Sequence, residues 1–129
     1  MEKYIVKETK STPFIDFSFK ENKLSFKGES YPENAYSFYE PIYEVLDKYL
    51  EINSKDELVV DFQLSYINTS SIKCLILLFD KLNTSYKNGK SILINWYYDE
   101  DNGFDYDMGQ DFQMGIDIPF NFISIGEEE

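Results

Sequence analysis

Residues 58–83 constrain the fold of this chain more than any other stretch, because they join an apolar strand to a helix through one short polar turn. The strand, residues 57–64, begins with a nearly continuous apolar run, which is typical of a strand covered on both faces. A second apolar strand follows at residues 91–98. The strand–helix–strand order predicts a parallel pair with a right-handed crossover.

The helix of this unit is predicted from residue 71 to residue 86, since apolar residues recur there at helical spacing. The members of this apolar stripe are Ile72, Leu75, Ile76, Phe79, Leu82 and Tyr86.

The turn that precedes this helix is a dense cluster of polar side chains beside an otherwise apolar run: Asn68, Thr69, Ser70 and Ser71. A helix start leaves backbone N–H groups unpaired and carries a partial positive charge. One interpretation is that the hydroxyl of Thr69 or Ser70 only caps the helix. The other is that the same N–H groups stabilise a phosphate. Local chemistry alone favours the cap.

The remainder of the chain predicts a hairpin, a helix and a final strand. Residues 14–19 and 24–28 alternate apolar and polar side chains around a polar turn, which is typical of an antiparallel hairpin. Residues 34–51 show helical spacing, but Pro41 lies inside this run. We expect a kink there, or two helices in sequence. Residues 118–125 read as a last short strand.

Length and charge limit the classes of function. A chain of 129 residues is large enough for one domain with a proper core, so we expect a single domain over residues 1–129. Its net charge of −12 argues against a nucleic-acid partner and against adsorption to anionic membranes. A positively charged or apolar protein surface is a more plausible partner.

Residue types narrow the chemistry further. The chain has no histidine, and its one cysteine, Cys74, lies in an apolar helix, so a zinc cluster or a serine triad is not expected. The N-terminus does not resemble a signal peptide, and no apolar run is long enough to span a bilayer, so we expect a cytoplasmic protein.

Residues 99–107 contain five acidic side chains and one glycine, which suits a calcium or magnesium site. Their spacing does not follow the EF-hand pattern, so a solvated acidic loop is favoured. An enzyme that uses these carboxylates with Tyr97 or Tyr98 as acid or base is the rival class. Because the sequence has no histidine and no glycine-rich phosphate loop, it gives little support to an enzyme. We assign no catalytic residue, metal ligand or cofactor.

The strand, turn and hydroxyl-rich helix start resemble the switch segment of STAS domains, the anti-sigma-factor antagonists. Four further stretches narrow the resemblance: residues 30–34, 38–41, 95–101 and 118–121. Taken in this order, they look like the SiaC family of bacterial regulatory phosphoproteins. The resemblance covers nearly the whole chain.

The resemblance implies a single α/β domain of STAS-like fold, with a mixed sheet, an N-terminal antiparallel hairpin and helices packed on the sheet. It places Thr69 at the phosphorylated position, with Asn68 in place of the usual Asp and with Ser70 and Ser71 completing the turn. Ser70 and Ser71 are expected to help cap the helix.

The implied partners are a Ser/Thr protein kinase of the SiaB type, a PP2C-type phosphatase and a diguanylate cyclase. The unphosphorylated form would bind and activate the cyclase, in cyclic-di-GMP control of aggregation or biofilm formation. The alternatives are an unregulated, non-catalytic scaffold and a metal-binding protein that uses the acidic loop.

Overall fold

The computed structural model describes residues 3–52 and 54–125. The elements in chain order are β1 Lys3–Val6, β2 Phe14–Ser18, β3 Lys23–Ser30, α1 Ala35–Glu51, β4 Leu58–Ile67, α2 Thr69–Lys87, β5 Ile92–Asp99, α3 Gly103–Met114 and β6 Phe120–Ile125.

The six strands form one sheet in the order β1-β2-β3-β4-β5-β6. The first three strands pair antiparallel, whereas β3, β4, β5 and β6 pair parallel. This confirms the predicted mixed sheet, the hairpin of β2 and β3, and the parallel pair that α2 connects. β4 lies between β3 and β5, so α2 begins near the middle of the sheet.

The core lies on one face of the sheet, where the three helices pack. Ring contacts show this for each helix: Phe17 with Tyr49 of α1 at 5.3 Å, Phe62 with Phe79 of α2 at 5.0 Å, and Trp96 with Phe112 of α3 at 5.5 Å. These residues are buried.

The prediction that both faces of β4 are covered is therefore wrong. Asp61 and Gln63 lie on the face opposite the buried Val60 and Phe62, and both are only half-buried. Because side chains alternate along a strand, the apolar start at residues 58–60 says little about the second face, whereas the polar residues that follow mark it as open.

Helix α1 is continuous through Pro41, so two helices in sequence are not formed. Proline removes the donor that would bond to the carbonyl of Ser37. Pro41 and Ser37 both lie on the exposed side of the helix, where water can satisfy that carbonyl.

Helix α2 begins at Thr69, two residues earlier than predicted, and its buried stripe differs from the predicted one. Ile76 is 47% exposed, whereas Cys74 and Leu78 are buried. Leu78 follows Leu75 by three residues and precedes Leu82 by four, which is the spacing of one helix face.

Helix α3 occupies part of the segment predicted as a solvated acidic loop. Gly109 of this helix lies directly against Trp96: a Cβ atom there would be 2.6 Å from Cδ1 and Nε1 of Trp96 and 2.9 Å from Cε2 of Phe122. This close approach brings the backbone of α3 onto the sheet, beside the contact of Phe112 with Trp96.

We expect Gly109→Ala to lower the free energy of unfolding by about 1–3 kcal/mol, because overpacking outweighs the better helix propensity of alanine. Gly103→Ala in the same helix is the matched control, since no atom lies within 4 Å of its Cβ position. Urea denaturation of both variants measures the difference. Equal stability of the two variants would contradict the packing argument.

Candidate switch site at the start of α2

Asn68 is the residue that caps helix α2. Its Oδ1 accepts a hydrogen bond from the N–H of Ser71 at 2.9 Å, and its carbonyl accepts the first helical bond from Ile72, also at 2.9 Å. The prediction that Thr69, Ser70 or Ser71 provides the cap is therefore wrong. Asparagine caps as well as serine does, and the extended backbone of Asn68 (φ −81°, ψ 171°) suits the role.

The three hydroxyl residues of the turn differ in their environments. Thr69 and Ser70 are exposed, whereas Ser71 is fully buried. Among the described residues, the backbone N–H groups of Thr69 and Ser70 meet no acceptor. The turn therefore presents two accessible hydroxyls beside two unpaired donors at the positive end of a helix.

A buried chain of hydrogen-bonded hydroxyl groups connects the turn to β3 and α1. Ser30 at the end of β3 donates to Oγ of Ser71 at 2.8 Å, and its Oγ lies 2.7 Å from the hydroxyl of Tyr39 in α1. Because the single Ser30 hydroxyl proton points to Ser71, Tyr39 is the donor in the second bond. The N–H of Asn68 also donates to the carbonyl of Ser30 at 2.9 Å. These bonds fix α2 to β3 and α1.

Sequence reasoning missed Ser30 and Tyr39 as part of this site. Each lies in one of the stretches that carried the family resemblance, residues 30–34 and 38–41, which was the available signal. Burial raises the pKa of the Tyr39 hydroxyl above its ordinary value, so the chain of hydroxyls stays uncharged at neutral pH.

Aromatic side chains flank the turn at the carboxyl ends of the strands. The ring of Tyr66 lies 5.8 Å from Tyr31 and 6.2 Å from Phe104. Tyr66 is 47% exposed and Phe104 is 40% exposed. Accessible aromatic side chains therefore lie beside the exposed hydroxyls of the turn. Aromatic side chains are enriched in the contacts between proteins.

The acidic segment is built around Asp105, which is buried. Its Oδ2 accepts from the N–H of Asp99 at 3.4 Å, its carbonyl accepts from Nε1 of Trp96 at 2.8 Å, and its Oδ1 has no partner. Across residues 3–52 and 54–125, no group of three Asp, Glu or Cys side chains is arranged to hold a metal ion. Asp105 thus joins α3 to β5.

Within the described part of the chain, no helix combines the length and the apolar character needed to cross a membrane.

The fold and the turn together define a small α/β protein whose candidate site is an exposed polar helix start rather than a catalytic cleft. The model of the SiaC family of regulatory phosphoproteins matches residues 6–125, so the chain belongs to that family. This confirms the resemblance inferred from the sequence.

Known relatives agree with this assignment. An uncharacterized protein of Pseudomonas aeruginosa is 34% identical over 94 residues, which are 73% of this chain and 74% of the relative. The structure of SiaC of Pseudomonas aeruginosa matches with a TM-score of 0.89 and 28% identity, covering 97% of this chain and 100% of that one.

A further structure contains the diguanylate cyclase SiaD in complex with its activator SiaC from the same organism. It also matches with a TM-score of 0.89, at 29% identity over 95% of this chain and 99% of that one.

We expect Asn68→Ala to destabilise the protein by about 1 kcal/mol, because the N–H of Ser71 loses its acceptor. Asn68→Asp is the control, since a carboxylate can accept the same bond near the positive end of the helix. Urea denaturation gives the stabilities, and hydrogen exchange at Ser71 tests the bond itself. An alanine variant as stable as the wild type would contradict the assignment of the cap.

Burial raises the pKa of the Asp105 carboxyl above its ordinary value of 3.8. The hydrogen bond from the N–H of Asp99 opposes this rise in pKa, and the negative charge of the Asp99 carboxylate adds a smaller increase. Between the ordinary and the raised pKa, the folded state holds a proton that the unfolded chain has lost. The free energy of unfolding therefore falls as pH rises through this range.

We expect Asp105→Asn to remove that part of the pH dependence. The control is Asp107→Asn in the same helix, because the side chain of Asp107 is exposed to solvent. Denaturation at a series of pH values compares the slopes of the two variants with that of the wild type. Equal slopes for wild type and Asp105→Asn would show that Asp105 ionises normally in the folded state.

Proposed function

We propose that this protein is a phosphorylation-controlled interaction switch, that Thr69 is its modified residue, and that the unphosphorylated form binds and activates a diguanylate cyclase. The observation that carries the proposal is the exposed position of Thr69 as the first residue of α2, beside N–H groups with no acceptor among the described residues. The complex of a relative with the cyclase that it activates supports the choice of partner.

The folded domain is suited to carry a phosphate at this position. Phosphorylation adds about 1.5 to 2 negative charges at pH 7. At a helix start these charges meet the partial positive charge of the helix and the backbone donors of Thr69 and Ser70. Asn68 caps the helix without a charge of its own, so it does not repel the phosphate. Modification therefore leaves the fold intact.

A partner surface would respond differently to the same phosphate. The exposed part of α2 that follows Thr69 includes Ile76, which is 47% exposed and lies on the side of α2 that faces α3. A partner that covers this helix through apolar groups would have to desolvate the phosphate, at a large cost in free energy. An anionic partner group at the helix start would in addition be repelled.

Among the neighbouring hydroxyls, Ser71 is a poor target, because it is fully buried and bonded to Ser30. Ser70 is as exposed as Thr69, so accessibility alone does not separate them. The family resemblance favours Thr69.

The remaining parts of the proposal follow from the same resemblance. A Ser/Thr kinase of the SiaB type adds the phosphate and a PP2C-type phosphatase removes it, in the cytoplasm. The chain acts as a regulatory partner rather than as an enzyme, and the pathway controls aggregation or biofilm formation through cyclic-di-GMP.

We expect Thr69→Ala to bind the cyclase constitutively, whereas Thr69→Asp and Thr69→Glu bind it at least about tenfold more weakly, which corresponds to ~1.4 kcal/mol. Ser70→Ala is the matched control and should remain switchable. Binding is measured by calorimetry with purified cyclase, and phosphopeptide mass spectrometry on the protein from its native host locates the phosphate.

Each outcome separates the candidate functions. Wild-type binding by every Thr69 variant would favour an unregulated scaffold. A phosphate on Ser70 would retain the mechanism and move the site by one residue. Failure of the unphosphorylated protein to bind the cyclase would reject the proposed partner.

A further inference from the structure

A groove of about 620 Å³ runs between helices α1 and α2 on the surface away from the sheet. On the α1 side its lining includes Tyr36, Glu40 and Glu44, and on the α2 side it includes Leu77 and Asp80. From Tyr36 to Asp47 the α1 wall spans twelve residues, a length of about 16 Å at 1.5 Å per residue.

The groove presents unusually exposed apolar surface. Tyr36 is 53% exposed and Leu77 is 46% exposed, although both are large side chains. The ring of Tyr43 also lines the groove but is itself buried: its centroid is 6.2 Å from that of Tyr36 and 5.6 Å from Nζ of Lys81, and its hydroxyl donates to the carbonyl of Cys74 at 2.6 Å. Exposed apolar side chains rimmed by charged residues mark interaction sites.

The charges around the groove are mostly negative. Its lining carries four carboxylates but a single lysine, Lys81. Lys81 is already paired with Asp47, at 3.0 Å from Nζ to Oδ2. Within residues 3–52 and 54–125, Glu40, Glu44 and Asp80 have no cation within 4.0 Å.

These charges decide what can occupy the groove. A second copy of this chain is disfavoured, because each copy carries a net charge of −12. An apolar segment without charges would bury the rim carboxylates unpaired. A segment with cations on its edges and apolar side chains between them would pair with the carboxylates of the groove and cover its exposed apolar side chains.

We infer that the α1–α2 groove is a docking site for a basic amphipathic helix of a partner protein, which sets leucine-like side chains on Tyr36 and Leu77 and lysine or arginine against Glu40, Glu44 and Asp80. The length of the groove matches about three helical turns, so anchors at i, i+3 or i+4 and i+7 span it.

The charged end of this docking site lies away from the proposed switch. Asp80 follows Thr69 by eleven residues in the same helix, a distance of about 16 Å along its axis. That exceeds the screening length of about 10 Å at 0.1 M salt, so a phosphate on Thr69 would change the field at Asp80 little. Tyr36 and Leu77 lie nearer to the turn, since both also line a hollow that reaches Ser70.

The test uses a fluorescein-labelled synthetic helical peptide with one stripe of leucines flanked by lysines. We expect the full-length protein to bind it with micromolar affinity in anisotropy titrations, and to bind poorly a control peptide in which glutamate replaces lysine. The double variant Glu40→Gln and Glu44→Gln should weaken binding about tenfold. Leu77→Ala should also weaken it, whereas Thr69→Asp should leave it within about twofold.

The matched control is the double variant Asp101→Asn and Asp107→Asn, which loses the same charge at exposed positions outside the groove. It should bind the lysine peptide like the wild type. Equal weakening by both double variants would show unspecific attraction to an acidic protein and overturn the inference. Absence of micromolar binding would also overturn it, and neither result depends on the cyclase or on phosphorylation.

Discussion

The position of the candidate switch depends on Ser30, which makes three hydrogen bonds at the end of β3. Its carbonyl accepts from the N–H of Asn68, and its hydroxyl joins Ser71 and Tyr39. The pairing of β3 with β4 shifts register between Gly28 and Glu29, immediately before this residue, and Ser30 then pairs with Ile67. These bonds join β3, α1 and α2 through uncharged groups. Because Ser71 is buried and hydrogen-bonded inside the protein, the hydroxyls of the turn that face solvent are those of Thr69 and Ser70.

Local patterns in the sequence were sufficient to predict the helices and strands that pack against elements adjacent to them in the chain. The hairpin and the β4–α2–β5 unit followed from alternation, helical spacing and connection rules. Prediction failed where the outcome depended on distant residues. Ile76 fits the spacing of the apolar stripe, but α1 and α3 pack on either side of α2 and leave Ile76 outward. The end of helix α3, at residues 111–115, was predicted, but its first residues were read as an acidic loop, because their packing rests on Gly109 against Trp96.

The stretches that carried the family resemblance acquire separate physical roles in three dimensions. Ser30 and Tyr39 hold the helix start, while Trp96 holds α3 through the carbonyl of Asp105. Pro119 accepts a hydrogen bond from the N–H of Ile94 and so aligns the start of β6 with β5. None of these roles can be deduced from one sequence, because each depends on how separate helices and strands pack or pair in the folded protein. The resemblance indicated which residues matter, and the geometry indicates why.

Charge is distributed unevenly over this acidic protein, and that distribution separates its two candidate surfaces. The start of α2 has an uncharged cap, an uncharged buried hydroxyl chain and unpaired N–H groups, so the helix end contributes a partial positive charge there. The charge of one phosphate outweighs that partial charge. The α1–α2 groove is negative already, and its Asp80 lies beyond the screening length from Thr69, so the same phosphate changes the field at Asp80 little. A partner that touched both surfaces would be held by the groove in either state, while the turn alone would decide whether the second contact forms. In such an arrangement phosphorylation removes the contact at the turn and so weakens binding of the partner, while the groove contact remains.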